Sequence, residues 1–132
     1  MSDGVHLLLI EDNEQNLELA QFLLEEAGFT VDCARNAFEA RTALSREVPA
    51  LVLMDIDLPG IDGLDLVSEL RRKPAWKGLP VIALTAHAMR GDRERFLAGG
   101  CSGYMSKPIQ VGSFVNEVRR YIDGSKEMDD GG

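Results

Sequence analysis

Three carboxylic acids, one hydroxyl and one ammonium stand along this chain, each at the end of an apolar run. They are Glu11 and Asp12 after VHLLLI, Asp55 after ALVLM, Thr85 after LPVIAL, and Lys107 after SGYMS. Carboxylates brought about 4 Å apart repel by roughly 4 kcal/mol at an effective dielectric near 20. A cluster of three therefore calls for a cation, and hard oxygen donors favour Mg²⁺ or Mn²⁺. Mg²⁺ keeps waters or phosphate oxygens in its shell, so an open site of this kind suits phosphoryl transfer. In that chemistry Asp55 attacks in line and Lys107 gathers charge from the phosphoryl oxygens. Thr85 offers them a hydroxyl, and small Ala86 leaves room. The product, an acyl phosphate, adds negative charge and three acceptor oxygens. Taken singly, a strand-end Asp or Thr is more often a cap or turn residue, and a lone Lys more often solvated. The chemical reading rests on all five groups meeting.

The elements that must bring them together are legible in the hydrophobic pattern. Apolar runs at Val5–Ile10, Phe29–Ala34, Ala50–Met54, Leu79–Leu84 and Cys101–Met105 read as strands, several of them continuously hydrophobic, as parallel strands covered on both faces are. Between them lie amphipathic stripes. Leu17, Ala20, Leu24 and Ala27 are stopped by Gly28. Ala40, Ala43 and Leu44 follow a capping pair, Asn36 and Glu39. Leu66, Val67 and Leu70 are closed by Pro74 and Gly78. Phe96 and Leu97 belong to a weaker, charge-rich fourth helix ending at Gly99-Gly100. Val111, Phe114, Val115, Val118 and Ile122 form a fifth stripe, with its stop at Gly124. Strict alternation implies a doubly wound parallel α/β sheet with right-handed crossovers. Ligands in such sheets bind beyond the carboxyl ends of the strands, where the five groups fall.

With 132 residues the chain suits one domain, placed here at 5–123, with 1–4 and 124–132 as flexible tails. No apolar run reaches the roughly 20 residues of a membrane span and no signal peptide opens the chain, so a cytoplasmic protein is expected. A formal charge of −8 argues against direct nucleic-acid binding, which needs Lys and Arg to neutralise phosphates. Cys33 and Cys101 match no metal-ligand spacing and read as small core residues in a reducing compartment.

The segments LLLIEDN, LVLMDIDLPGIDG, VIALTA and GYMSKPI, in this order and spacing, resemble the receiver domain of bacterial response regulators, over residues 5–123. The resemblance implies the CheY-like, flavodoxin-like fold, a five-stranded sheet of order 2-1-3-4-5 flanked by five helices. It implies Asp55 as phosphoacceptor, charged by a phosphohistidine on a sensor histidine kinase or a histidine phosphotransfer protein. Glu11, Asp12, Asp55 and the backbone carbonyl of Asp57 would ligate Mg²⁺. Lys107 would pair with the phosphoryl group across a cis Lys107–Pro108 bond. The turn Leu58-Pro59-Gly60, then Asp62-Gly63, would shape the metal pocket.

By the same resemblance Thr85 and Tyr104 form the switch, and the fourth helix, fifth strand and fifth helix form the output face for a target protein. Asp57 and His87 lie where they can tune dephosphorylation. His6 reads as a packing or edge residue, Trp76 as packing under a loop, and Arg90, Arg93 and Arg95 as a solvated helix face. The chain is similar to single-domain regulators of the DivK type and to the receiver modules of hybrid kinases. Either a monomer or a weak, phosphorylation-dependent dimer is expected, acting as a regulator of a target or as a phosphate shuttle in a relay.

Two competing functions remain in view. An aspartyl phosphatase of the haloacid-dehalogenase type also uses a DxD after a strand, and Asp55-Ile56-Asp57 fits it. That family's acidic pair follows its Lys, however, whereas Glu11-Asp12 come before Asp55. A receiver-like module that only binds partners would lack some of the five groups, and none is missing.

Overall fold

The structure is a computed structural model describing residues 4–58, 63–86 and 91–131, the last eight by backbone alone. Five parallel strands, β1 (His6–Ile10), β2 (Thr30–Ala34), β3 (Leu51–Asp55), β4 (Val81–Thr85) and β5 (Gly103–Ser106), form one sheet in the order β2-β1-β3-β4-β5. The helices are α1 (Glu14–Glu26), α2 (Ala37–Arg46), α3 (Gly63–Arg71), α4 (Asp92–Ala98) and α5 (Phe114–Gly131), with a 3-10 turn at Pro74–Trp76.

The period-2 geometry of the strands sorts their apolar residues between two cores. Leu8, Ile10, Val52, Met54, Val81 and Ala83 face α2, α3 and α4, where Ala40, Leu44, Leu66, Val67 and Phe96 meet them. Leu7, Leu9, Leu51, Leu53, Ile82 and Leu84 face α1 and α5, against Leu17, Leu24, Phe114 and Val118. This double burial explains why the central strands read as unbroken apolar runs. Among the described residues no helix is long and apolar enough to cross a membrane.

Local chemistry sets the helix ends. The Asn13 carboxamide accepts from Asn16 N–H at 2.9 Å and caps α1. The Asn36 side chain likewise accepts from Glu39 N–H at 2.8 Å, while the Glu39 carboxylate accepts from Arg35 N–H at 2.8 Å. The expected capping pair thus forms, with its return bond one residue earlier than in the usual box. Gly28 (φ +101°) and Gly100 (φ +107°) terminate α1 and α4 in the left-handed conformation. In each case paired 6→1 and 5→2 bonds follow: Phe29 N–H to Leu24 O with Gly28 N–H to Glu25 O, and Cys101 N–H to Phe96 O with Gly100 N–H to Leu97 O.

Several boundaries differ from the sequence reading. Gly124 does not end the last helix, since α5 runs on to Gly131, and the expected tail over 124–131 carries helical backbone. A single glycine costs a helix about 1 kcal/mol relative to alanine but leaves its hydrogen-bond ladder intact. Val111 lies in the turn before α5 and is exposed, so it is not part of the buried stripe. Leu97 is 40% exposed, leaving Phe96 as the buried residue of α4. Cys101 is buried, but Cys33 on the edge strand is only half-buried. Burial pushes both thiols up to about 11.

Candidate functional site

All five polar groups arrive at the carboxyl edge of the sheet. Glu11 and Asp12 follow β1, Asp55 is the last residue of β3, Thr85 the last of β4, and Lys107 follows β5. Register does the alignment: Ile10 pairs with Met54, Asp55 with Leu84, and Thr85 with Ser106. Backbone bonds beyond the strands hold the ends, from Glu11 N–H to Ala34 O (2.9 Å), Ile56 N–H to Leu84 O (3.0 Å) and Lys107 N–H to Thr85 O (2.8 Å). Strand order reverses between β1 and β3, so the carboxylates sit at the switch point of the sheet.

Glu11, Asp55 and Thr85 are buried in this otherwise apolar setting, while Asp12 is exposed at the mouth. Carboxylate oxygens of Glu11, Asp12 and Asp55 all lie within 4.8 Å of one another. Lys107 Nζ bridges the two buried acids, 3.1 Å from Asp55 Oδ2 and 3.3 Å from Glu11 Oε1. The second Asp55 oxygen accepts from Asp57 N–H at 2.9 Å, and Glu11 Oε2 accepts from Asn13 N–H at 3.1 Å. The Lys107–Pro108 peptide is cis.

These contacts fix the charge states. Burial first, and then the adjoining Asp55 carboxylate, push Glu11 up to about 7 against the opposing pull of Asn13 N–H and Lys107. Burial would also raise Asp55. The Asp57 N–H, Glu11 and Lys107 together outweigh it and hold Asp55 below the usual range. Lys107 is raised, its partners Asp55 and Glu11 overcoming its own desolvation. Of the two buried acids, Asp55 is thus the one held ionised and Glu11 the one that burial pushes towards its protonated form.

The residues also fit a divalent cation. Glu11 Oε1 is the buried side-chain oxygen left without a hydrogen bond among the described residues, with Lys107 Nζ beside it at ion-pair distance. An orphaned carboxylate oxygen inside a ring of carboxylates is what a hard cation satisfies.

Tyr104 is half-buried on β5, its ring 5.8 Å from that of Phe96 on α4. It borders a cleft of about 290 Å³ shared with Met105, Gln110, Phe114 and Glu117. The Asp57 side chain is exposed. His87, Met89, Arg90 and the turn residues Pro59, Gly60 and Asp62 lie outside the described residues. His6 stands between Asp32 (3.4 Å) and Glu47 (3.8 Å), far from the carboxylate cluster at the opposite end of β1. Trp76 packs its ring against the α2–α3–α4 core.

Sequence reasoning passed over two positions, Asn13 at this edge and Arg71 at the opposite end of the sheet, before β4 and β5 begin. Asn13 serves both as the cap of α1 and, through its backbone N–H, as a partner of Glu11. An Asn just before a helical stripe was the available signal for the first role. Arg71 ties three segments together, Nε donating to Gly100 O (2.9 Å) and a second nitrogen to Trp76 O (3.0 Å) and Leu79 O (2.6 Å). Nothing in the sequence marks Arg71 apart from the other helix-end cations.

An open parallel sheet with a carboxylate–lysine cluster at its switch point defines a class of phosphoryl-accepting, cation-binding proteins. Likeness to known proteins narrows it. Residues 7–119 match the family described as the response regulator receiver domain. The polar-differentiation response regulator DivK of Brucella anthropi is 40% identical over 116 residues, covering 88% of this chain and 94% of that protein. A receiver domain of a sensor histidine kinase from Pseudomonas aeruginosa, solved with magnesium coordinated in its active-site cleft, superposes with a TM-score of 0.81 at 33% identity, covering 90% of this chain and 98% of that one. The chemotaxis response regulator CheY4 of Vibrio cholerae shares the fold (TM-score 0.84) at 20% identity, over 89% of this chain and 98% of its own. The chain belongs to the response regulator receiver domain family. It is a DivK-like phosphoacceptor module of two-component signalling, a class of signalling domain that binds Mg²⁺ at an acidic pocket and works with histidine kinases or phosphotransfer proteins and downstream targets.

Proposed function

We propose that Asp55 is the residue phosphorylated. The observation that carries this is the position of Lys107 Nζ, 3.1 Å from an Asp55 carboxylate that the rest of the site keeps ionised. In the transfer, an Asp55 oxygen bonds to phosphorus as the bond to the donor imidazole nitrogen breaks, and the imidazole leaves with its electron pair. Lys107 follows the developing phosphoryl charge and Thr85 donates its hydroxyl to a phosphoryl oxygen. Glu11, Asp12, Asp55 and the Asp57 carbonyl would hold Mg²⁺, which supplies positive charge to the same oxygens. Asp57, and His87 beyond Thr85, tune how long the acyl phosphate survives.

Tyr104 transmits the change. Its contact with Phe96 links β5 to α4, which supports an output face on α4, β5 and α5 for a target protein. Within that reading the chain acts as a DivK-like regulator of a partner, with a relay intermediate as the second reading. The phosphatase reading is displaced by the family match and by Glu11-Asp12 preceding Asp55. The test is incubation with Mg²⁺ and acetyl phosphate followed by intact mass. One phosphoryl group should add to the native protein and none to Asp55→Asn. Equal labelling of that variant would overturn the assignment.

A further inference from the structure

α2 buries Ala37, Ala40, Ala43 and Leu44, so its opposite face looks outward. That face presents Phe38, Thr42 and Arg46, at i, i+4 and i+8 on one side of the helix. Phe38 is 74% exposed, an unusual position for a phenyl ring. The middle of the stripe is small, and its hydroxyl is already satisfied: Thr42 Oγ1 donates to Phe38 O at 3.0 Å. Neighbouring Ser45 Oγ donates to Arg41 O at 2.8 Å. A shallow pocket of about 210 Å³ runs beside the stripe, lined by Cys33, Phe38, Glu39, Thr42 and Arg46.

The stripe is complementary to itself. Turned end for end about a two-fold axis through Thr42, a second α2 sets its Arg46 against Phe38 and its Phe38 against Arg46. A guanidinium over a phenyl ring is an attractive contact, and the symmetry makes it twice. The adjacent sheet edge offers no such fit. Antiparallel pairing of two β2 strands centred on Asp32 would oppose like charges, a common guard against edge association.

We infer that α2 is a self-association face, and that its partner is a second copy of this chain packed antiparallel across Thr42. Each copy carries a formal charge of −8, so the pair is weak and strengthens as salt screens the repulsion. The inference is independent of the phosphorylation chemistry.

The experiment is symmetric cross-linking of the full chain. In a Cys33→Ser background, Thr42→Cys stands on the axis, where a disulfide to its own copy meets the required Cα separation. Under mild oxidation it should form covalent dimer at least tenfold faster than Val111→Cys, an exposed control in the turn before α5. Sedimentation equilibrium supplies the second readout. Arg46→Glu should raise the dimer Kd at least tenfold, and the double variant Phe38→Lys/Arg46→Glu, which replaces each ring–cation contact with an ion pair, should restore it. Equal cross-linking of the two cysteines, or a dimer indifferent to Arg46→Glu, overturns the inference. So does association that appears only with Mg²⁺ and beryllofluoride and ignores Arg46.

Discussion

Glu11 is a carboxylate buried beside another and displaced to about 7. In metal-free protein the folded state therefore binds a proton that the unfolded chain has released above the ordinary glutamate value of 4.5. Stability must fall as pH rises from about 4.5 to about 7. Asp55 is displaced the other way, and its contribution is lost only as pH drops below its ordinary value of 3.8, while Lys107 acts above 10.5. Neither masks the Glu11 window. Urea denaturation in chelator should show native protein losing up to about 3 kcal/mol across that range, since each tenfold difference in proton affinity between folded and unfolded chain is worth about 1.36 kcal/mol. Glu11→Gln should flatten the profile there. An unchanged slope in the variant would assign the effect to general charge repulsion instead.

At the scale of elements, the first turn of α3 is pressed against the loop that leaves β3. Gly63 N–H donates to Ile56 O at 3.2 Å, and a Cβ built on Gly63 would fall 2.7 Å from that oxygen and 2.8 Å from Ile56 Cα. Both obstacles are backbone, so the loop or the helix must move. Ile56 sits between Asp55 and Asp57, and the displacement reaches the carboxylate directly. Gly63→Ala should cost about 1–3 kcal/mol, the usual range for overpacking. It should also weaken Mg²⁺ binding, read by titration of the folded variant. Native Mg²⁺ affinity in a destabilised Gly63→Ala protein would separate the loop from the metal pocket.

For the whole molecule, stability and ligation are linked because three acids crowd one edge. A ligand bound only by the folded state stabilises by about 2.7 kcal/mol at a hundredfold excess over Kd. Thermal melts should therefore rise with Mg²⁺. Asp12 is the exposed member of the cluster, so Asp12→Ala removes repulsion from the free protein and a ligand from the loaded one. Its Tm without metal should equal or exceed the native value, and its rise with Mg²⁺ should be smaller. A lower metal-free Tm would contradict repulsion as the main role of Asp12.

The order of apolar runs, the glycines that stop α1 and α4, and the five polar residues were all determined by the sequence, because period and residue type are local properties. Asn36 with Glu39 was legible as a cap for the same reason. Gly124 misled, since a glycine shows its cost to a helix but not whether neighbouring turns absorb it. Only the tertiary structure could decide the rest. Which nitrogen bridges Glu11 and Asp55, which of those acids keeps its proton, and why Arg71 matters depend on burial and on carbonyls brought together from distant segments. Charge and hydrogen bonding act through space, and the parallel register of β1, β3, β4 and β5 turns five scattered residues into one site.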